Sequence, residues 1–131
     1  MPGLLNPDDE ALVAAAMAAR EQAYAPYSQF AVGAALRCAD GSVVSACNVE
    51  NASYGLTMCA ERNAVAAAVA SGRRSFTAIA VAGPPGAVTS PCGACRQVLA
   101  EFAPDLRVLY SVPDGVESST LGRLLPARFA P

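Results

Sequence analysis

Residues 30–49, FAVGAALRCADGSVVSACNV, contain two apolar runs on either side of Asp40-Gly41. Both runs, residues 30–38 and 42–49, have the length and the small apolar or β-branched content of strands. An Asp-Gly pair between two such runs is a strong signal for a β-hairpin, because both residues tolerate the backbone angles of a tight turn. The stretch therefore predicts a hairpin that starts a sheet.

The segments around this hairpin follow one another in an order that predicts the fold class. Asn6-Pro7 begins a helix that we expect to run to about Ala23, because Asn6 can cap it and acidic residues follow at its positive end. The remaining predicted elements are helices at 59–71, 93–102 and 121–125, strands at 76–82 and 107–111, and a short strand near Val116. This order predicts an α/β fold in which helices pack over a mixed sheet.

The composition bounds the size of the protein and excludes several kinds of chemistry. The chain has 131 residues, which predicts one domain over residues 1–131, and 53% of them are hydrophobic, which excludes a disordered chain. All nine basic residues are arginine, so Schiff-base lysines, Ser–His–Asp triads and histidine-containing metal sites are excluded. A net charge of −2 without lysine also disfavours binding to a nucleic-acid polymer.

The first residues and the cysteine count bear on the compartment. Asp8, Asp9 and Glu10 stand where a secretory signal carries basic residues, and prolines interrupt the longest uncharged stretch, so we expect a cytoplasmic protein without a membrane span. Five cysteines cannot all pair, and in a reducing compartment a paired-cysteine spacing points to metal or redox chemistry.

Two of the cysteines, Cys38 and Cys47, belong to the predicted hairpin rather than to a motif. A tight turn at residues 40–41 would place Cys38 opposite Val43, so a disulfide between the two cysteines is not expected. We interpret both as unmodified structural thiols, since an unpaired cysteine behaves as a small apolar residue.

Two short motifs carry side chains that can bind a metal. Cys59 precedes Ala60-Glu61, and Cys92 and Cys95 stand three apart in PCGAC, each motif at the predicted start of a helix. The first helical turn brings Cys92 and Cys95 to one side, so three thiolates can hold a zinc ion and leave its fourth position open to water. Glu61 can then act as general base and general acid. The pair of motifs matches the pattern of zinc-dependent deaminases.

The charge of such a site needs an offset, because zinc with three thiolates is a weaker Lewis acid than zinc bound by neutral imidazoles. Two helix N-termini that point at the metal contribute partial positive charge. Arg62 follows Glu61 directly and can hydrogen-bond a cysteine sulfur. We therefore expect Arg62 to stabilise the metal site by contacting a cysteine ligand, without binding the metal itself.

Five motifs occur in order along most of the chain: YSQFAVGAA (27–35), NVEN (48–51), CAER (59–62), PCGACRQ (91–97) and LLP (124–126). In these motifs the chain resembles the small cytidine deaminases of pyrimidine salvage. Cysteine rather than histidine before Ala60-Glu61 is similar to the branch of that family built as homotetramers. The resemblance implies a three-layer α/β/α sandwich with a mixed five-stranded sheet and one Zn²⁺ per subunit. It also implies hydrolysis of cytidine and 2′-deoxycytidine to uridine and 2′-deoxyuridine, with release of ammonia.

The resemblance also implies roles for side chains that bind the small-molecule nucleoside. Glu61 would protonate N3 of the base and then deliver a proton to the departing amine. Asn48 and Glu50 would hold the ribose hydroxyls, which an amide and a carboxylate can do chemically. Phe30 would pack against the base, and the backbone around Ala60 would recognise its Watson–Crick edge.

The same resemblance implies that subunits share active sites. Tyr54 and Phe129 match aromatic residues that reach the site of a neighbouring subunit. A chain this small and this apolar also favours association, which is consistent with a homotetramer.

Other functions fit parts of the same pattern. A structural zinc-stabilised interaction module would need a fourth ligand from Cys38 or Cys47, and a thiol redox pair would leave Cys59 and Glu61 without a role. A deaminase of another aminopyrimidine nucleoside, such as blasticidin S, would use the same metal motifs, although residues 48–54 favour an ordinary ribose. A nucleic-acid-editing deaminase needs a basic track, which this chain does not have.

Overall fold

Four α-helices and five β-strands lie along residues 5–131, the part of the chain that the computed structural model describes. In chain order they are α1 (Pro7–Arg20), β1 (Gly33–Cys38), β2 (Val43–Cys47), α2 (Ala60–Ala70), β3 (Phe76–Ala82), α3 (Gly93–Phe102), β4 (Arg107–Val112), β5 (Gly115–Thr120) and α4 (Leu121–Leu124). A single 3-10 turn lies at Tyr54–Leu56. The expectation about a secretory signal concerns in part residues 1–4, which lie outside the described residues.

The strands form one mixed sheet in the order β2-β1-β3-β4-β5. β1 is antiparallel to both β2 and β3, and β5 is antiparallel to β4. β3 and β4 are parallel, with Ala78 paired to Arg107 and Val81 to Tyr110. The connection between these parallel strands passes through α3, as a parallel crossover requires. The predicted five-stranded mixed sheet is confirmed.

Both faces of the sheet are covered by helices. Along β3, Ile79 and Val81 join the core under α2 and α3, whereas Ala78 and Ala80 join the core under α1. This alternation is the period of two expected for a strand that is buried on both faces. The three layers, helix over sheet over helix, confirm the predicted α/β/α sandwich.

α1 lies directly on the backbone of β1. A Cβ atom at Gly33 would be 2.0 Å from the carbonyl oxygen of Ala16, so only glycine permits this approach. The predicted cap of α1 is also present, because the Asn6 side chain accepts a hydrogen bond of 2.8 Å from the Asp9 N–H. Asp9 in turn accepts hydrogen bonds from Arg107 on β4, which fastens the start of α1 to the sheet.

Several predicted boundaries differ from the structure. α1 ends at Arg20 rather than near Ala23, because Tyr24 donates its N–H to the Asn48 carbonyl instead of continuing the helix. β1 begins at Gly33 rather than Phe30, because Gln29 has a positive φ of 58° and the backbone that follows it pairs with the Asn48 side chain. β2 is likewise shorter at both ends than predicted.

The hairpin turn is longer than predicted. Arg37 rather than Cys38 pairs with Val43, since Gly41 takes a positive φ of 87° and the Cys38 N–H donates to the Ser42 carbonyl across a three-residue loop. The register placing Cys38 opposite Val43 is therefore wrong. All five cysteines are nevertheless free thiols, as expected for Cys38 and Cys47. Across residues 5–131, no helix is long and apolar enough to cross a membrane.

Candidate active site

Three cysteine sulfurs meet where two helices begin. Cys59 is the N-cap of α2, Cys92 is the N-cap of α3, and Cys95 lies in the first turn of α3. Their sulfur atoms all lie within 4.8 Å of one another. The Cys59 and Cys92 sulfurs are 3.9 Å apart, and those of Cys92 and Cys95 are 3.4 Å apart. Cysteines 33 residues apart in sequence are thus brought to one point by the two helix starts.

This cluster fits a zinc ion. With Zn–S bonds of about 2.3 Å in tetrahedral geometry, thiolate sulfurs lie about 3.8 Å from each other. The two observed separations bracket that value, so three ligands can bind with little movement. Three thiolates also leave one of four tetrahedral positions free, which distinguishes a catalytic site from a closed structural one.

The thiols of this cluster are unequal in acidity. Hydrogen bonding from Cys95 and Arg62 lowers the pKa of Cys59 to about 5, so its thiolate is favoured near neutral pH. The same hydrogen bond and burial raise the pKa of Cys95. Arg62 donates from Nη2 to the Cys59 sulfur at 3.5 Å. The predicted contact between Arg62 and a cysteine sulfur is therefore present.

Glu61 is buried beside the cluster, in the first turn of α2. Desolvation by burial raises the pKa of its carboxyl to about 7, and the nearby Cys59 thiolate contributes in the same direction. Only 5% of Glu61 is exposed, and what is exposed faces the cavity described next. A carboxyl in this setting can both release and take up a proton near neutral pH.

A cavity of about 270 Å³ opens onto the cluster. It brings together most of the residues singled out in the sequence; these are Phe30, Asn48, Glu50, Cys59, Ala60, Glu61 and Cys92. Six further residues complete its lining; these are Ser28, Val32, Thr57, Val88, Thr89 and Ser90. The lining thus combines apolar walls with a few polar groups, as small-molecule sites do.

Asn48 is a buried residue that organises this cavity. Only 8% of it is exposed, although it is a polar residue directly after β2. Its amide donates to the Phe30 carbonyl at 2.8 Å and accepts from the Val32 N–H at 3.0 Å. These two hydrogen bonds fix the backbone on either side of residue 31, and they use one of its two amide N–H groups. Asn48 thereby holds Phe30 at the cavity wall.

Glu50 is held as a carboxylate at the rim of the cavity. Its Oε1 accepts from the backbone N–H groups of Tyr27 and Ser28, and its Oε2 accepts from the Ser28 hydroxyl. The hydrogen bond from Ser28 is the main reason that the pKa of Glu50 is lowered. Glu50 therefore remains an acceptor-only group near neutral pH.

Tyr54 and Phe129 are not among the residues that line this cavity. Tyr54 is 75% exposed and its ring meets that of Tyr27 at 6.0 Å, beside a second concavity that shares Glu50 with the first. Phe129 is 78% exposed near the end of the chain, where its carbonyl accepts from Gln97. Both rings are therefore exposed on the surface of the chain.

Arg96 has a structural function to which the sequence analysis assigned no residue. Its guanidinium donates to the carbonyls of Pro91 and Leu124, each at 2.7 Å. Pro91 directly precedes the Cys92 ligand, so Arg96 ties the metal-binding loop to the end of α4. Its place directly after the second cysteine of PCGAC was the one available signal.

Comparison with known proteins agrees with this geometry. Residues 6–111 match the family model described as the cytidine and deoxycytidylate deaminase zinc-binding region. The chain belongs to the cytidine deaminase family. A cytidine deaminase from Sporosarcina psychrophila is 48% identical over 125 residues, covering 94% of this chain and 92% of the relative. The crystal structure of a cytidine deaminase from Burkholderia pseudomallei is 53% identical, with a TM-score of 0.86, and covers 92% of this chain and 98% of the other.

A relative in the cytidine deaminase family that is named for the alternative substrate, blasticidin S, is less similar to this chain. A blasticidin-S deaminase from Bacillus cereus is 33% identical over 106 residues, covering 75% of this chain and 76% of the relative. The family assignment and the cysteine cluster together make this chain a zinc-binding enzyme.

Proposed function

We propose that this chain catalyses the hydrolytic deamination of cytidine and 2′-deoxycytidine to uridine and 2′-deoxyuridine, with release of ammonia. The observation that carries the proposal is the burial of Glu61 beside a three-cysteine cluster, with Glu61, Cys59 and Cys92 lining one cavity. A structural zinc site has no need of a buried carboxyl next to an open coordination position. Relatives of about half identity that are named cytidine deaminases support the substrate.

Cys59, Cys92 and Cys95 would hold the zinc ion, which when bound activates water as a nucleophile at neutral pH. Glu61 would accept the protons that the attacking water releases and would deliver them first to N3 of the base and later to the departing amine. Its burial excludes bulk water, which would otherwise compete for those protons.

The remaining cavity residues bind the nucleoside. Glu50, held as a carboxylate, accepts hydrogen bonds from ribose hydroxyls, and Asn48 contributes its free amide N–H beside it. Phe30, held by Asn48, packs against the base. The first N–H groups of α2 have no partner inside the helix, so the backbone at Ala60 can donate to the base edge.

Arg62 supports the thiolates as a positioning residue. Its hydrogen bond to the Cys59 sulfur stabilises negative charge there, so Arg62→Ala should lower zinc retention and turnover. Arg73→Ala is the matched control, because Arg73 pairs with Asp40 at the surface, at the far end of α2. Equal zinc content and equal initial rates for the two variants would contradict this role.

We further propose that the protein acts as a single-domain homotetramer, in cytoplasmic pyrimidine salvage. The exposure of Tyr54 and Phe129 supports a shared site, since both rings need a partner surface. Reduced thiolates at the metal suit a reducing compartment. Sedimentation of a stable, fully active monomer would overturn the tetramer and the shared roles of these two residues.

The test of the activity follows ammonia release by the zinc-loaded protein with cytidine, 2′-deoxycytidine, cytosine, CMP, adenosine and blasticidin S offered separately. Glu61→Gln is the matched variant, because it keeps the shape of the side chain and removes its acid–base function. We expect turnover of cytidine and 2′-deoxycytidine, and its loss in the variant with zinc content and oligomeric mass unchanged. Turnover of blasticidin S alone would replace the substrate. No turnover by folded, zinc-loaded protein would favour a structural zinc module.

A further inference from the structure

The loop that joins β3 to α3 is fastened to β4 through a single residue, Ser111. The Gly83 N–H donates to the Ser111 hydroxyl at 3.0 Å, and that hydroxyl donates to the Thr89 hydroxyl at 3.1 Å. The Thr89 N–H then donates to the Ser111 carbonyl at 2.9 Å. The last paired residues of the parallel ladder are Val81 and Tyr110, so these bonds begin where the ladder ends. Ser111 therefore joins the first residue of the loop and Thr89, within the loop, to one point of the sheet.

Gly83 and Thr89 are also closely packed against each other. A Cβ atom at Gly83 would be 2.2 Å from the Thr89 hydroxyl oxygen and 2.8 Å from its methyl group. Thr89 is 6% exposed although it belongs to a loop. A buried hydroxyl needs a partner, because leaving it unpaired costs free energy. Thr89 and Ser111 thus depend on each other, and Gly83 provides the space.

The fastened loop forms part of the cavity wall. Val88, Thr89 and Ser90 line the cavity that also contains Phe30 and Asn48. We propose that the hydroxyl pair of Thr89 and Ser111 holds this wall in place and thereby sets the affinity of the site for its nucleoside. This positioning role rests on the proposed function, because it takes the cavity to be the nucleoside site.

The expected kinetic effect follows from how often the loop occupies the position that binds the nucleoside. If the loop occupies the competent position for only a fraction of the time, the apparent affinity falls by that fraction. The bound complex still selects the competent loop, so turnover within it changes little. Losing the hydroxyl pair should therefore raise KM and leave kcat nearly unchanged.

The experiment measures cytidine kinetics for Thr89→Val, Ser111→Ala, their combination, and Thr89→Ser. Thr89→Val keeps the shape of the side chain and removes only the hydroxyl. We expect KM to rise about fivefold in Thr89→Val, the factor that one net hydrogen bond represents, and at least as much in Ser111→Ala, which also loses the bond from the Gly83 N–H. In both variants kcat should stay within about twofold of the original value. The combined variant should be no worse than Ser111→Ala alone, because Ser111→Ala already removes the hydroxyl pair together with the hydrogen bond from the Gly83 N–H. Thr89→Ser should stay close to the original KM.

The matched control is Ser71→Ala, which removes a hydroxyl that donates to the Ala68 carbonyl at the far end of α2. It should leave KM unchanged. Unfolding in urea and zinc content are measured for every variant. A loss of stability in the Thr89 and Ser111 variants with KM unmoved would overturn the proposal in favour of a purely structural role. KM effects that add in the combined variant would overturn the hydroxyl pair as their cause.

Hydrogen exchange separates this proposal from the proposed function. If the unaltered protein fails to deaminate cytidine, the proposed function is overturned, and with it the link to nucleoside affinity. The fastening of the loop is then judged by exchange of the amides of residues 83–90, which Thr89→Val should accelerate and Ser71→Ala should not. Unchanged exchange in Thr89→Val would overturn the fastening itself.

Discussion

The replacement Asp9→Asn should cost this protein a large part of its stability. Asp9 is only 3% exposed, and its carboxylate accepts hydrogen bonds of 2.6 and 3.2 Å from Arg107 and one of 3.2 Å from the Asn6 N–H. Asparagine has nearly the same shape, but it removes the charge and turns amide hydrogens toward a guanidinium that also donates. The variant therefore perturbs the electrostatics at the start of α1 with little change in volume.

The magnitude follows from the two bonds to Arg107. A hydrogen bond to a charged group contributes about 1.5–3 kcal/mol. The lower value applies, because the Arg107 side chain is 41% exposed and water can replace part of the loss. Two such bonds give a destabilisation of about 3 kcal/mol, which for a domain of this length lowers Tm by about 10 °C.

Acidification should remove the difference in unfolding free energy between the original protein and the Asp9→Asn variant. The hydrogen bonds from Arg107 lower the pKa of Asp9 below its ordinary value of 3.8. Asp9 therefore stabilises the fold fully above that ordinary value, and the stabilisation is lost as the pH falls through the lower pKa of the folded state. The gap in unfolding free energy should be widest at neutral pH and should shrink below about pH 4.

Urea unfolding of both proteins over this pH range measures the gap directly. Any loss of zinc in acid affects both proteins and cancels in the difference. Asp8→Asn is the matched control, since Asp8 is exposed in the same helical turn and should cost no more than about 0.5 kcal/mol. A gap below about 1 kcal/mol at neutral pH, or one that persists unchanged in acid, would refute the reasoning.

Three further changes test how the site is held. Arg96→Lys keeps the charge, but lysine cannot donate to the Pro91 and Leu124 carbonyls at the same time. The rate of zinc loss to a chelator should therefore rise about tenfold, whereas Arg74→Lys should leave that rate unchanged. Gly33→Ala places a Cβ atom 2.0 Å from the Ala16 carbonyl oxygen, so the free energy of unfolding measured in urea should fall by about 3 kcal/mol or more. A smaller decrease would show that α1 can shift away from β1. Asn48→Asp loses the donor to the Phe30 carbonyl, so kcat/KM for cytidine should fall about tenfold, and unchanged kinetics would contradict its role.

Local sequence signals were sufficient for most elements and for the metal motifs. Helix caps, glycine stops and runs of apolar residues act over a few neighbours, and β3 and α3 have the predicted boundaries for that reason. Cys92 and Cys95 are set by one helical turn, so their spacing alone brings their sulfurs together. The Cys59-Ala60-Glu61 motif, taken together with PCGAC, indicated the third ligand and the acid–base role of Glu61, and the resemblance in the five motifs added the nucleoside-binding roles.

Long-range contacts decided everything that the local signals missed. Asn48 shortens β1 and holds Phe30 from 18 residues away, and Arg96 reaches Leu124 across 28. Thr89 and Ser111 meet across 22 residues because the parallel strands β3 and β4 end side by side. The sequence determined which side chains can bind zinc and move protons. Only the tertiary structure decided which backbone groups those side chains and their supports would meet, because such pairings depend on how the sheet and helices pack.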